Sequence, residues 1–466
     1  MPTRLPQRLL LSVLTASLVL SGCANLAPKY DVPAVDTPVA FKEGRGAWVL
    51  AAPADTLQRG PWWELFDDPV LNGLAAQVEV NNQNVAAAVA AYAQARALTR
   101  EQRASLFPQV NLDAGANRSG TDRTSARSYQ VGIGVNWEPD VFGRLGLVVQ
   151  GARSGEQAAQ ADLAAATLAA QGELATAYFG LREADVLSGL LTEIIVGLRR
   201  ALQITQNRYA AGVVARTDVL QAEGQLANAE AELLTQASQR ATFEHAIAVL
   251  IGKAPAHFSL AVDPNWNVSV PLIPPEVPST LLQRRPDIAA AERRVEQANA
   301  QIGIQRAGYF PSFNLTGSIG RSAASIGELF SVSGLVWAVG ASLAQMLFDA
   351  GATTARVDQA RAALEQAAAR YRQAVLAAFQ DVEDQLVALR ILSEQQVLRL
   401  QASQALALVE QQVLNRYQAG QVNYTEVITA QSNAATSRRA LVQSQIDRQL
   451  AAVALIQALG GGWRGL

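Results

Sequence analysis

Residues 82–112, NQNVAAAVAAYAQARALTREQRASLFPQVNL, recur as residues 285–315, RPDIAAAERRVEQANAQIGIQRAGYFPSFNL. The offset is 203, and 13 of 31 positions are identical. A second match pairs NRYAAGVVARTDVLQAE (207–223) with NRYQAGQVNYTEVITAQ (415–431), at offset 208 with 9 of 17 identical. Shared alanine inflates both scores. Phe-Pro-x-x-Asn-Leu and Asn-Arg-Tyr-x-Ala-Gly do not come from composition. The chain is therefore two copies of one unit of roughly 200 residues, and any fold must be built twice.

Working outward from each Phe-Pro, the pattern changes to period two. Val110, Leu112, Ala114 and Ala116 alternate with Asn111, Asp113, Gly115 and Asn117. Tyr129, Val131, Ile133, Val135 and Trp137 alternate with Gln130, Gly132, Gly134, Asn136 and Glu138. The second copy repeats this with Phe313, Leu315 and Ile319, then with Leu335, Trp337, Val339, Ala341 and Leu343. Alternating runs of about ten residues joined by Ser, Gly and Thr are the pattern of outer-membrane strands. Four strands cannot close a barrel, which needs about eight. An open sheet edge cannot stand in lipid, so this reading forces an oligomer. Two chains would supply eight strands with a filled interior, and three would supply twelve with room for a lumen.

The rest of each copy is helical. None of the 18 prolines lies between Pro139 and Pro255 or after Pro311, so two long tracts lack that helix breaker. The spans 143–206 and 351–414 are each 64 residues, about 96 Å as helix. Val375, Phe379, Val382, Leu386 and Leu389 recur at coiled-coil spacing, as do Leu187, Leu191, Ile194 and Leu198. Shorter helices are expected over 217–252 and 69–106, stacked end to end against a long one. Asp68-Pro69 suits a helix start, and Asp287 sits near the positive end of its counterpart. Pro255, Pro264, Pro271, Pro274, Pro275 and Pro278 mark a belt of small elements beside the junction.

The N-terminus carries Arg4 and Arg8, an apolar run from Leu9 to Leu20, then Leu20-Ser21-Gly22-Cys23. This reads as a secretory signal too short to span a bilayer permanently. Small residues before the sole Cys resemble a lipobox, which makes Cys23 the expected lipidation site and mature N-terminus. Ala24 follows, and by the bacterial sorting rule that favours the outer membrane. Removal of 1–22 takes two arginines and no acid, moving the net charge from −2 to −4. The lead-in after it is punctuated by proline, and Trp62-Trp63 reads as a packing anchor.

Composition excludes other classes. Charged residues are 17 % and apolar ones 50 %, against disorder. The near-zero net charge excludes a broad nucleic-acid-binding surface. One Cys and two His, His245 and His257, form no metal or catalytic constellation, and no phosphate loop is present. No enzyme, metal site or cofactor is expected, and a chain of this kind that moves solutes draws its energy from a partner.

The Asn-Arg-Tyr turns, the RRPDIAAAERR segment, the Phe-Pro strand starts, the duplication and the lipobox together resemble the outer membrane factor family. These are the TolC-like exit ducts of tripartite efflux and secretion systems, and the likeness is to the lipoprotein, multidrug-efflux branch. The resemblance implies a mainly α fold with a membrane β-barrel: a homotrimer with a twelve-stranded outer-membrane barrel and a periplasmic tube of coiled-coil helices. It implies a periplasmic adaptor (membrane fusion) protein and an inner-membrane pump as partners, outer-membrane lipid around the barrel, and an anchored duct extending into the periplasm. Passive conduction of drugs or other small solutes is the expected function. A type I protein-secretion duct and a non-conducting periplasmic spacer lipoprotein are the alternatives.

By the same resemblance the turns at Asn207, Arg208, Tyr209 and Gly212, and at Asn415, Arg416, Tyr417 and Gly420, form the periplasmic tip where the adaptor docks. Asp218 and Glu426 would ring its aperture. From the residues themselves, Gly212 and Gly420 suit left-handed helix ends, and Thr217 and Thr425 are expected to cap the next helices. The expected organisation is a signal at 1–22, a lead-in at 23–68, and a first repeat at 69–252 with strands near 108–118 and 128–138. A Pro-rich equatorial segment at 253–285 follows, then a second repeat at 286–459 with strands near 311–321 and 334–346, and a tail at 460–466.

Overall fold

The computed structural model describes residues 26–38, 41–43, 60–123, 125–266, 270–271, 285–330 and 335–461. The signal and Cys23 lie outside the described residues. The elements run α1 (Pro69–Asn81), α2 (Gln83–Ala104), β1 (Gln109–Gly120), β2 (Ser125–Trp137), α3 (Arg144–Ala210) and α4 (Arg216–Leu250). The second copy follows as α5 (Pro286–Arg306), β3 (Ser312–Ala323), β4 (Leu335–Ala344), α6 (Ala352–Gln418) and α7 (Tyr424–Ala458). Both long helices, α3 and α6, have 67 residues, three more than the repeat spacing suggests.

The chain divides into two compact units. The first holds the described residues up to Val35, with Ala91–Gln160 and Ala290–Gln373, and contains all four strands. They form one antiparallel sheet in the order β1-β2-β3-β4. Each repeat contributes a hairpin, and β2 pairs with β3 to join the repeats, with Trp137 opposite Leu315 and Tyr129 opposite Ala323. The lead-in is strapped along this unit: Arg306 donates to the Leu26 carbonyl (3.1 Å) and Asn299 to that of Pro28 (2.8 Å).

The second unit comprises Asp36–Ala90, Ala161–Ala289 and the chain from Ala374 onward. Its core is built by Trp62, Trp63, Phe66, Leu71, Leu174, Phe179, Ile247, Ile251 and Val453. Trp62 and Trp63 are both buried, and the Trp62 indole donates to Gln171 (3.2 Å), so the pair is the anchor that its position suggests. Asp68 caps α1 as expected, accepting from the amides of Val70 (2.9 Å) and Leu71 (3.1 Å) behind Pro69.

Three local expectations are corrected. The helix expected over 69–106 is broken at Asn82, which is extended (ψ 125°). Its side chain accepts from Asn84 and Val85 to start α2 and donates to the Leu250 carbonyl (2.9 Å), where α4 ends. The end-to-end junction is therefore α2 with α4. Its counterpart, α5 with α7, carries the matching bond from Arg285 to the Ala458 carbonyl (3.2 Å). Thr217 and Thr425 are not caps: the extended boundary residues are Ala215, which has no side-chain bond, and Asn423, which accepts from Glu426 (3.1 Å). Both threonines already lie inside the first turn. In the α3 seam Ile195, not Ile194, is fully buried, because four-residue steps from Leu187 and Leu191 reach it.

Among the described residues β1 and β4 are paired on one side only. The repeat offsets, 203 from β1 to β3 and 208 from β2 to β4, carry the observed β2–β3 register onto a seam between β4 of one copy and β1 of the next. Ala341 then stands opposite Ala116. Within one chain these two lie three strand spacings apart and out of register, more than about 14 Å, which a disulfide cannot bridge. Cysteines at Ala116 and Ala341 should give disulfide-linked multimers on a non-reducing gel, whereas Ala114 with Ala341 should not.

Candidate functional site

The sheet has two unlike faces. Val110, Leu112 and Ala114 stand opposite Val135, Ile133 and Val131. Ile133 stands opposite Ile319, which stands opposite Trp337. Directly opposed residues share a face, so the register joins the four alternating patterns into one apolar surface. Val110, Leu112, Ile133, Ile319, Trp337 and Val339 are all exposed on it. Gln130, Asn136, Asn111, Asp113, Asn314, Thr316 and Ser318 share the other face with glycines. There β2 and β3 approach so closely that a Cβ on Gly320 would lie 2.6 Å from the Val131 carbonyl oxygen. A soluble protein rarely leaves an apolar surface of this extent in water. No described helix is long and apolar enough to cross a membrane. The sheet is thus the element suited to lipid on one face and water on the other.

The twin turns lie in the second unit. α3 ends at Ala210 and α6 at Gln418, and the glycines two residues on, Gly212 (φ +74°) and Gly420 (φ +75°), are left-handed. Each closes its helix with the paired bonds of a Schellman motif: Val213 to Arg208 and Gly212 to Tyr209, then Gln421 to Arg416 and Gly420 to Tyr417. Arg208 and Arg416 occupy the last turns, where the helix dipole favours a cation.

Identical motifs take different roles. Arg208 lies over the Tyr417 ring at 4.5 Å and donates to the Tyr417 carbonyl (2.8 Å). Tyr417 is 1 % exposed, its hydroxyl 3.2 Å from that of Thr205 and its ring 5.5 Å from Tyr424. Ala201, Ala222 and Val427 complete this small core. Burial pushes the Tyr424 phenol up to about 12, reinforced by Tyr417 and Asp218. Tyr209, by contrast, is 44 % exposed. Asn207 is exposed and accepts from Gln203 (3.0 Å), Asn415 and Arg416 are exposed, and the structure does not bring these into the core. Asp218 and Glu426 lie in the first turns of α4 and α7, the former half-buried and the latter exposed. His245 and His257 are both exposed, on α4 and on the turn Pro255–His257.

One cluster has no local sequence signal. Asp185, fully buried on α3, accepts from Arg182 (2.9 Å), Arg240 (2.6 Å) and the Asp263 amide (3.2 Å). Arg182 also bonds the Tyr178 hydroxyl (3.1 Å) and the Ala261 carbonyl (2.9 Å). Tyr178 donates to Asp68 (2.6 Å), which also takes the Trp266 indole (3.1 Å). Burial works against the Arg182 charge, and its bonds to Tyr178 and Asp185 outweigh it, holding the guanidinium above its usual range. This network pins the Pro-rich belt to α3 and α4. Its members come from four distant stretches, so only the fold unites them.

A two-faced sheet that needs further strands, carried on long paired helices, defines an outer-membrane channel. The chain belongs to the outer membrane efflux protein family, whose model matches residues 74–253 and 277–461. It is 32 % identical over 467 residues to the outer membrane protein OprJ of Pseudomonas aeruginosa, covering 97 % of this chain and 95 % of the relative. It is 28 % identical to the cation efflux system protein CusC of Escherichia coli, covering 96 % and 97 %. Among solved structures it is similar to the outer-membrane channel OprN, with TM-score 0.82 and 30 % identity over 93 % of this chain and 99 % of that one. The protein is an outer-membrane exit duct of an efflux system, and its fold is that of the trimeric channels, four strands from each copy closing one barrel.

Removing one partner from a buried ion-pair network strands the others. Asp185→Ala leaves Arg182 buried and unpaired, and should lower unfolding stability by about 3–5 kcal/mol, read as a reduced urea midpoint.

Proposed function

We propose that the duct passively conducts drugs or other small solutes, and that the twin turns are its periplasmic aperture and the docking face for a periplasmic adaptor. The observation that carries this reading is the placement of the turns. They close the C-terminal ends of α3 and α6, each 67 residues along the helix that follows a strand hairpin, and they present Asn207, Tyr209, Asn415 and Arg416 to solvent. Three copies bring six such turns together, with Asp218 and Glu426 in the adjoining first turns. An inner-membrane pump supplies the energy, and opening the turns requires a partner that binds the open state better than the closed one. The strapping of Leu26 and Pro28 beside the strands supports a lipid on Cys23, three residues earlier, that enters the same membrane as the barrel.

Proline cannot adopt the positive φ of Gly212 or Gly420, and it lacks the N–H that each donates to its tyrosine carbonyl. Gly212→Pro and Gly420→Pro should therefore abolish export of a fluorescent dye in cells lacking other ducts, with the trimer still recovered by native mass measurement. Normal export by both variants would contradict the assignment of the turns.

A further inference from the structure

Below the apolar face of the sheet, the first unit carries a groove. Phe313 stands opposite Leu343 and so belongs to that face. The Phe142 ring lies 6.2 Å from Phe313 and 5.0 Å from Phe310, and Phe142 packs on the cluster that contains Leu26. Leu26 and Phe310 in turn line an opening of about 620 Å³ between α5 and α6. The groove thus begins where the lipid-suited surface of β3 ends and opens on the same side. That is the level at which a bilayer passes from hydrocarbon to headgroups.

Further in, its lining is cationic. Arg306 is the last residue of α5, which runs toward the sheet, and Arg361 is the tenth of α6, which runs away from it. Side chains lean toward a helix's N-terminus, so Arg306 leans away from the sheet and Arg361 toward it, and the two converge. Arg306 gives one N–H to the Leu26 carbonyl (3.1 Å) and Arg361 one to Asp358 (3.0 Å), of the five that each guanidinium carries. Tyr309 donates to the Thr354 hydroxyl (3.0 Å), whose own proton can go to an anion. Two arginines against Asp358 leave the lining with one positive charge beside an apolar entrance.

We propose that the groove binds an anionic phospholipid of the periplasmic leaflet. Its phosphodiester sits between Arg306 and Arg361, which suit the planar, charge-assisted contacts a phosphate makes. An acyl chain runs past Leu26 and Phe310 onto the apolar face of the sheet. Charge selects the lipid: phosphatidylglycerol brings one negative charge to match the groove, whereas the ammonium of phosphatidylethanolamine would meet the arginines. The repeat offsets, 203 and 208, assign the arginines the duplicates Arg103 and Arg153, both exposed. There Leu106 replaces Tyr309, so the first repeat has the charges without the hydroxyl. The inference uses the membrane sheet and is independent of the twin turns.

The test uses the full-length trimer, stripped of lipid in mild detergent, and native mass measurement with added phosphatidylglycerol, phosphatidylethanolamine or diacylglycerol. One phosphatidylglycerol per copy should be held about tenfold more tightly than either other lipid. Arg306→Gln with Arg361→Gln should remove that preference. Arg103→Gln with Arg153→Gln, the same charge change in the first repeat, should keep it. Arg361 is exposed and has no bond to the lead-in, so Arg361→Gln alone should weaken binding with the trimer intact. Equal binding of the three lipids, unchanged binding by Arg361→Gln, or equal losses in the two double variants would overturn the proposal, the last by assigning the effect to diffuse charge. Displacement of the lipid by inorganic phosphate at the same concentration would overturn it in favour of a soluble anion. Binding seen only with Cys23→Ser, which cannot carry its own acyl chains, would give the groove to the chain's N-terminal lipid and overturn it as well.

Discussion

Lipid offers no hydrogen-bond partner, so every backbone N–H and C=O within a bilayer must be satisfied by protein. That constraint governs this chain because, among the described residues, the only membrane-suited element is a sheet with β1 and β4 at its edges. One copy leaves a row of backbone groups unpaired on each side. Closure by further copies removes both edges at once, and it makes folding of the membrane part inseparable from assembly. The rest follows: apolar side chains on one face, small and polar ones on the other, and helices α3 and α6 of equal length leaving the sheet at equivalent places in the two repeats.

The duplication lets one chain behave as two subunits. β2 pairs with β3 inside the chain as β4 must pair with β1 outside it, and the Arg208–Tyr417 contact stands inside where its duplicate faces outward. The two repeats diverge here: Thr205 and Tyr424 give Tyr417 a hydroxyl partner and a ring, and the residues at the same offset, Val413 and Arg216, offer neither. The buried Asp185 network ties the belt to α3 and α4. Its charges are fully partnered, which is the condition under which buried ions are tolerated.

Much of this was legible in the sequence because it depends on periodicity. Strand alternation, the long proline-free tracts and the Gly212 and Gly420 turns need only local patterns, and they appear where the pattern puts them. The helix break at Asn82 was hidden because asparagine in an alanine-rich run looks like an ordinary helix residue. Its capping bonds depend on the Leu250 carbonyl, which arrives from 168 positions away. Thr217 and Thr425 looked like caps by type, yet the extended backbone falls at Ala215 and Asn423. Asp185, Arg240 and Trp266 carry no shared motif. The unlike fates of Tyr209 and Tyr417 could not come from motifs that are identical in letters.

The central claim is that the sheet separates lipid from water, and a scan along β2 tests it most directly. Single fluorescent labels at residues 129 to 137 in reconstituted trimers should alternate: odd positions quenched by a lipid-dissolved quencher, even positions by a water-soluble one. Quenching that does not alternate, or an apolar face reached only by the aqueous quencher, would contradict a membrane wall and with it the duct.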